Sequence, residues 1–323
     1  MMRVAGIDCG TNSVRLLIAD VPGKGAPLTD IVREMEIVRL GQGVDETGRL
    51  DEVALERTFA AIGEYEKKIR AHGVESLRFV ATSATRDAVN RDVFVNGVRD
   101  ILGITPQVLS GDEEARMSFT GAISVLDDAV GPILAVDLGG GSTELVLGDE
   151  DGTVISAYSM DVGSVRMRER RLHSNPPTVN ELAAARADIQ VALDEAERHV
   201  DLSATQTLVG LAGTITSITA VALGLEKYQP ELIHGTFMEF GEIERVTQWF
   251  IDADFDQRAG LGFMHPGRVD VIGAGALVWQ EVARRVAWRV QENGGELAGA
   301  VTSEHDILDG LALWAATEPQ NWG

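Results

Sequence analysis

Two stretches of the chain set an acidic residue at the end of an apolar run and follow it with a turn built from glycine and hydroxyl side chains. The first is Ile7-Asp8-Cys9-Gly10-Thr11-Asn12-Ser13, and the second is Val136-Asp137-Leu138-Gly139-Gly140-Gly141-Ser142-Thr143. Backbone amides in such a turn form a concave nest for phosphate oxygens, with no bulky Cβ in the way. A plain hairpin turn explains either stretch alone; two copies, each led by an aspartate, favour phosphate binding. Asp8 and Asp137 facing one cleft would suit Mg2+, which takes oxygen ligands and keeps several waters. Arg86, in Thr82-Ser83-Ala84-Thr85-Arg86-Asp87, sits at an expected strand-to-helix junction and offers a forked donor matched to phosphate. Arg166, beside Gly163-Ser164, is a second such donor within the basic run from Arg166 to Arg171.

A base is also needed if water is to attack phosphorus. Ser110-Gly111-Asp112-Glu113-Glu114 opens a helix, where acidic residues ordinarily complement the dipole. That accounts for Asp112 and Glu113, whereas Glu114 can serve as general base if it reaches a water. Other chemistries lack their motifs. There is no GxxxxGK[ST], Gly23-Lys24-Gly25 having neither the spacing nor the hydroxyl, and no GxGxxG after a strand, GxSxG or HExxH. The single cysteine, Cys9, excludes an internal disulfide and a multi-cysteine zinc site. It is expected to fill the end of a strand, with a reactive exposed thiol as the alternative.

The elements that must position these residues follow from periodicity. The two turn segments are an internal echo, with Asp8, Gly10, Ser13 and Leu16 recurring as Asp137, Gly139, Ser142 and Leu145, so duplicated domains are expected. Between the echoes a helix is expected over 51–72, with Leu55, Phe59, Ile62 and Ile69 on one face and Gly73 as its stop. Strands are expected over 77–81 and 107–109, and helices over 87–102 and 112–126. Beyond the second echo come a strand over 153–160 and a long helix to about 200, opened by the capping box Thr178-Val179-Asn180-Glu181. A strand over 208–211, a helix from Thr214, and helices near 269–290 and 304–316 complete the α/β pattern. Trp279, Trp288 and Trp314 are expected to pack in a core or interface.

At 323 residues the chain is long enough for about two domains. It has 28 Lys+Arg against 50 Asp+Glu, a net charge of −22 that disfavours duplex nucleic acid and anionic lipid while allowing a small anion inside a locally basic cleft. The uncharged run from Leu208 to Leu225 is broken by glycines and hydroxyls and reads as a strand and a packed helix, not a membrane span. The N-terminus lacks a signal-peptide stretch, so a cytoplasmic protein is expected.

With Asp8-Cys9-Gly10-Thr11-Asn12-Ser13-Val14-Arg15, Thr82-Ser83-Ala84-Thr85-Arg86, Ser110-Gly111-Asp112-Glu113-Glu114-Ala115 and Asp137-Leu138-Gly139-Gly140-Gly141-Ser142-Thr143-Glu144 in this order, the chain resembles the exopolyphosphatase / guanosine pentaphosphate phosphohydrolase (Ppx/GppA) family. That family lies within the superfamily of actin, sugar kinases and heat-shock chaperone ATPases. Arg39-Leu40-Gly41-Gln42-Gly43, Gly163-Ser164-Val165-Arg166, Gly210-Leu211-Ala212-Gly213-Thr214 and Arg268-Val269-Asp270-Val271-Ile272-Gly273-Ala274-Gly275 also fit.

The resemblance implies two ribonuclease-H-like (actin-like ATPase) domains flanking a central cleft: residues 1–130 plus 304–323, and 131–303. It implies Glu114 as the base, with Glu113 as fallback, and Asp137 and Glu144 at positions linked to Mg2+ and the attacking water. Asp8 would join them around the metal, while Gly10, Thr11, Asn12, Ser13, Arg86, Gly139, Gly140, Gly141, Ser142, Thr143 and Arg166 hold substrate. It further implies a homodimer. The expected activity is Mg2+-dependent release of orthophosphate from the end of polyphosphate, favouring shorter chains because longer members carry an added C-terminal region. The rivals are guanosine pentaphosphate (pppGpp) hydrolysis, a kinase or ATPase using Gly210–Thr214 for adenosine, and a non-catalytic polyphosphate or nucleotide sensor.

Overall fold

Strand and helix signals alternate along the chain, and the folded protein carries that alternation through. The computed structural model describes residues 2–22, 28–123, 129–319 and 322. The chain divides into two compact units, Met1–Val125 with Asp306–Gly323, and Leu126–His305.

In the first unit β1 (Met2–Cys9), β2 (Ser13–Val21) and β3 (Thr29–Ile37) form an antiparallel meander. The short α1 (Val44–Thr47) and the long α2 (Glu52–Ala71) lead to β4 (Ser76–Ala81), which lies parallel to β1. Then come α3 (Ser83–Asp87), α4 (Arg91–Leu102), β5 (Gln107–Val108) and α5 (Gly111–Ile123). The sheet order is β3-β2-β1-β4-β5.

The second unit repeats the plan. β6 (Ile133–Leu138), β7 (Thr143–Gly148) and β8 (Val154–Met160) form the meander, followed by α6 (Ser164–Arg170) and α7 (Val179–Ala196). β9 (Thr207–Leu211) lies parallel to β6 and runs into α8 (Ala212–Ala222). After these come α9 (Pro230–Ile233), β10 (Phe237–Glu239), α10 (Phe240–Asp252), α11 (Phe255–Ala259), α12 (Ile272–Glu292) and β11 (Gly299–Thr302). The order β10-β11-β9-β6-β7-β8 contains the first sheet's arrangement strand for strand, with β10 added at one edge. Each sheet is ribonuclease-H-like, the duplicated fold of the actin-like ATPases. The chain ends with α13 (Ile307–Thr317), which packs within the first unit on α5, β1 and β2.

Burial explains the sequence signals. β6 is buried at every position, as expected of a strand covered on both faces. The edge strand β3 instead carries Asp30, Arg33, Glu34 and Glu36, charges that discourage pairing with another chain. In α2, Leu55, Ile62 and Ile69 are buried with Phe59 packed against them, and Gly73 follows in the left-handed conformation. The Leu208–Leu225 run is divided between β9 and α8, and among the described residues no helix is long and apolar enough to cross a membrane.

Several expectations are corrected. The helix expected over 87–102 begins only at Arg91, after a separate short helix that ends at Asp87, because Ala88 is extended and Asn90 turns its side-chain amide onto both backbone groups of Leu50. Arg86 therefore lies in the last turn of α3 and not at a helix N-terminus. The end of the helix expected over 112–126 lies outside the described residues. The last helix starts at Ile307, not Glu304, because Asp306 caps it by accepting from the Leu308 amide. Trp279 is buried, but Trp288 is 48 % exposed, with the guanidinium groups of Arg285 and Arg289 over its ring. Cys9 is buried and burial pushes its thiol well up, so the reactive-thiol alternative falls. β3, β10, β11 and α9 to α11 had no sequence expectation.

The Thr178 capping box forms as expected, and α7 ends at Ala196. The Glu181 carboxylate accepts from the Thr178 amide and hydroxyl and from the amides of His173 and Ser174. Those bonds, the Thr178 backbone first, hold it down at about 2 instead of 4.5. A carboxylate held down in the folded state stabilises it fully above its unfolded pKa and loses that contribution as pH falls through the folded value. The gap in urea midpoint between the native chain and Glu181→Ala should therefore be full above pH 4.5 and close as pH approaches about 2.

Candidate active site

The first turn joins β1 to β2, and register sets what faces what. Asp8 lies directly opposite Arg15, and residues opposed across an antiparallel pair share a face. Arg15 donates to Asp8 Oδ2 from Nε at 3.0 Å and from Nη2 at 2.6 Å, and also reaches Asp306, the cap of α13. Burial pushes the Asp8 carboxyl up against the pull of Arg15. Asp8 Oδ1 is buried without a hydrogen-bond partner, and so is Asn12 Oδ1 in the turn itself.

The turn is closed by Gly10 N donating to Ser13 O at 2.9 Å. Its carbonyls are then taken by the segment after β3: Asn12 O accepts from Val38 and Arg39, and Thr11 O from Gly41. A Cβ on Gly41 would collide with the Thr11 side chain, so this approach needs glycine. Thr11 Oγ1 pairs with Ser83 Oγ at 2.8 Å, fixing the turn to the start of α3.

The second turn, between β6 and β7, repeats this construction with other residues. Gly139 N donates to Ser142 O at 3.0 Å. Gly139 O accepts from Ser164, and Gly140 O from Val165 and Arg166, all at the start of α6. Gly141 O accepts from Arg166 Nε at 2.6 Å, and Thr143 Oγ1 donates to Val162 O at 2.6 Å. A Cβ on Gly163 would meet Gly140 O at 2.6 Å and Ser142 N at 2.7 Å. Among the described residues no carbonyl accepts from the amides of Thr11, Asn12, Gly140 or Gly141. The carbonyls of Thr11, Asn12, Gly139, Gly140 and Gly141 are thus engaged while the amides of Thr11, Asn12, Gly140 and Gly141 are unspent, which is the polarity an anion site needs.

The duplicated hairpins differ at one decisive position. Where Asp8 faces Arg15, Asp137 faces Glu144, and both of these acids are buried. Ser159 Oγ donates to Glu144 Oε1 at 2.7 Å. Like charges facing each other across a strand pair repel, and a cation between them relieves this. No group of three His, Cys, Asp or Glu among the described residues forms a metal cage. Mg2+ does not require one, since it binds through one or two carboxylates and completes its shell with waters and substrate phosphate. The acid pair fits such an ion.

Glu113 and Glu114 separate cleanly. Glu113 Oε2 accepts from the Ser110 amide and hydroxyl, both at 2.8 Å, and these bonds hold its carboxyl below the usual range. It caps α5. Glu114 is buried, and its Oε2 accepts from Arg86 Nη1 at 3.0 Å. The same Arg86 nitrogen donates to Leu109 O at 3.1 Å.

Within the first unit the structure thus sets Asp8 beside Arg15, ties the Gly10-to-Ser13 turn to the start of α3 and pairs Arg86 of α3 with Glu114; within the second it sets Asp137 opposite Glu144 and fixes the Gly139-to-Thr143 turn through Arg166. Sequence reasoning gave no role to Arg15, Ser83 or Ser159. Hairpin spacing from Asp8 would have found Arg15, whereas the other two depend on register and tertiary contact.

Residues 17–292 match the Ppx/GppA phosphatase family. Exopolyphosphatase 2 of Mycobacterium tuberculosis is 48% identical over 321 residues, spanning 97% of this chain and 98% of its own length. The crystal structure of an exopolyphosphatase-like protein shares 44% identity at a TM-score of 0.92, covering 97% of this chain and 98% of that one. That of the Aquifex aeolicus Ppx/GppA family member shares 30% at a TM-score of 0.78, covering 99% of each.

Because Gly163 lies against Gly140 and Ser142, Gly163→Ala should displace the second turn without emptying a core. Overpacking of this kind costs about 1–3 kcal/mol. The variant is expected to fold with a lowered urea midpoint and at least about tenfold weaker affinity for tripolyphosphate, measured by calorimetry.

Proposed function

We propose that this chain, which belongs to the Ppx/GppA phosphatase family, hydrolyses the terminal phosphoanhydride bond of inorganic polyphosphate and releases orthophosphate. The observation that carries the reading is the buried carboxylate of Glu114, which is not spent on capping α5 because Glu113 does that work. A chain that only binds polyphosphate has no use for such a base, which argues against the sensor reading.

In phosphoryl transfer the protein mainly positions the nucleophile and neutralises developing charge. The amides of Thr11, Asn12, Gly140 and Gly141 donate to phosphate oxygens. Ser13, Ser142 and the backbone of Thr143 complete the turns, and Arg166 serves by fixing Gly141. Glu114 takes a proton from the attacking water as its oxygen bonds to the terminal phosphorus. The bridging P–O bond breaks, leaving orthophosphate and a polyphosphate one unit shorter. Asp137 and Glu144 would hold Mg2+, with Asp8 able to contribute only through Oδ1 because Oδ2 belongs to Arg15. A bound Mg2+ supplies charge neutralisation on the phosphate oxygens.

Shorter chains are the favoured substrate in this reading. The net charge is −22, and the basic run after the second turn is engaged internally. Arg166 bonds Gly141, Arg168 the carbonyls of Leu172 and His173, and Arg171 the carboxylate of Asp188. A long polyanion gains little from such side chains.

Purified protein with tripolyphosphate, long polyphosphate, guanosine pentaphosphate or ATP, with and without Mg2+, tests the reading through liberated phosphate. Mg2+-dependent release should be fastest from tripolyphosphate. Glu114→Gln should fold and bind it while turning over about 10²–10⁴-fold more slowly. Faster release from guanosine pentaphosphate or ATP would move the assignment to a nucleotide, and binding without release would make the protein a sensor.

A further inference from the structure

The sequence pattern gives Arg86 to the substrate phosphate, but its surroundings fit another task. Its side chain spans three elements of the first unit. It leaves the last turn of α3, meets the carbonyl of Leu109 beyond β5, and ends on the Glu114 carboxylate in α5. Leu109 is itself anchored, its amide donating to Ala81 O at the end of β4. The guanidinium thus has a fixed support independent of Glu114. Glu114 is in the first turn of α5, its amide donating to Ser110 O within the loop that Glu113 caps. A carboxylate on such a turn has rotamers to choose from, and a planar Nη1 group whose other hydrogen is held by the Leu109 carbonyl favours one.

We propose that Arg86 is the positioning residue for Glu114: it fixes the direction of the base through the Leu109–Arg86–Glu114 bridge and acts on the reaction through that carboxylate. This rests on the reading of Glu114 as the base. A phosphate ligand lost from the site weakens substrate binding. A positioning residue lost from behind the base lowers the rate with substrate still bound. The two roles therefore separate in KM and kcat.

The test is a double-mutant cycle with tripolyphosphate as substrate and as calorimetric ligand, using Arg86→Ala, Arg86→Lys, Glu114→Gln and the doubles. Arg86→Ala should lower kcat by about 10²-fold, with KM within about threefold of the native value. Added to Glu114→Gln, it should lower kcat no further and leave tripolyphosphate affinity within about threefold. Lysine keeps the charge but lacks the planar guanidinium that holds the two hydrogens of one nitrogen, Nη1, in fixed directions toward the Leu109 carbonyl and the carboxylate. Arg86→Lys should therefore lower kcat by about tenfold with KM held, and it decides the matter if the alanine variant fails to fold. A tenfold or larger loss of tripolyphosphate affinity on adding either substitution to Glu114→Gln would make Arg86 a phosphate ligand and overturn the proposal alone. An unchanged kcat in Arg86→Lys would do the same. Near-native turnover in Glu114→Gln by itself would overturn the base reading and this proposal together.

Discussion

Everything proposed for this protein depends on where the carbonyl oxygens of two hairpin turns are sent. A turn that exposes both its amides and its carbonyls has no preference for anions. Here each turn loses its carbonyls to a segment of its own unit, the stretch from Val38 to Gly41 in one and the start of α6 in the other. The amides remain as the polar groups available to a ligand. Glycine at positions 41 and 163 permits those segments to come close enough, so the residues that shape the turns lie partly outside them.

The two hairpins share a backbone plan and differ in charge. In the first unit Arg15 neutralises Asp8 and reaches across to Asp306, while Arg33 holds Asp309 one turn further along α13. The returning helix is thereby fastened to the strands that carry the first turn. Removing Arg15 would leave the buried carboxylates of Asp8 and Asp306 without the cation they share. In the second unit the position matching Arg15 holds Glu144, so an acid faces Asp137 where a base faces Asp8. One copy of the duplication thus sets an acid against a base across its hairpin, and the other sets two buried acids against each other, the pair proposed to hold Mg2+.

Much of this could be read from the residues alone. The echo of Asp8, Gly10 and Ser13 in Asp137, Gly139 and Ser142 identified both hairpins, because strand period and turn chemistry are local. The α/β class followed for the same reason, and so did the capping box at Thr178. What failed was non-local. A helix is expected over 87–102, but the Asn90 side-chain amide is claimed by Leu50, forty positions earlier, and the helix begins at Arg91. Glu114 is preferred to Glu113 already in the sequence, but the physical reason, the cap that gives Glu113 to Ser110, is visible only in the fold. For Arg86 the sequence shows a phosphate-matched donor and nothing of the Leu109 carbonyl and Glu114 carboxylate that its Nη1 meets, because both contacts are non-local. Strands β10 and β11 are too short, at three and four residues, to announce themselves by alternation.

The central claim concerns amides, so amides should be observed directly. Tripolyphosphate titrated into 15N-labelled Glu114→Gln protein should shift the backbone resonances of Thr11, Asn12, Gly140 and Gly141 together and saturably, with little change at Gly73 or Gly294, which lie beyond the ends of α2 and α12. Saturable binding that leaves those four resonances in place would mean that the ligand is held elsewhere, and would contradict the account.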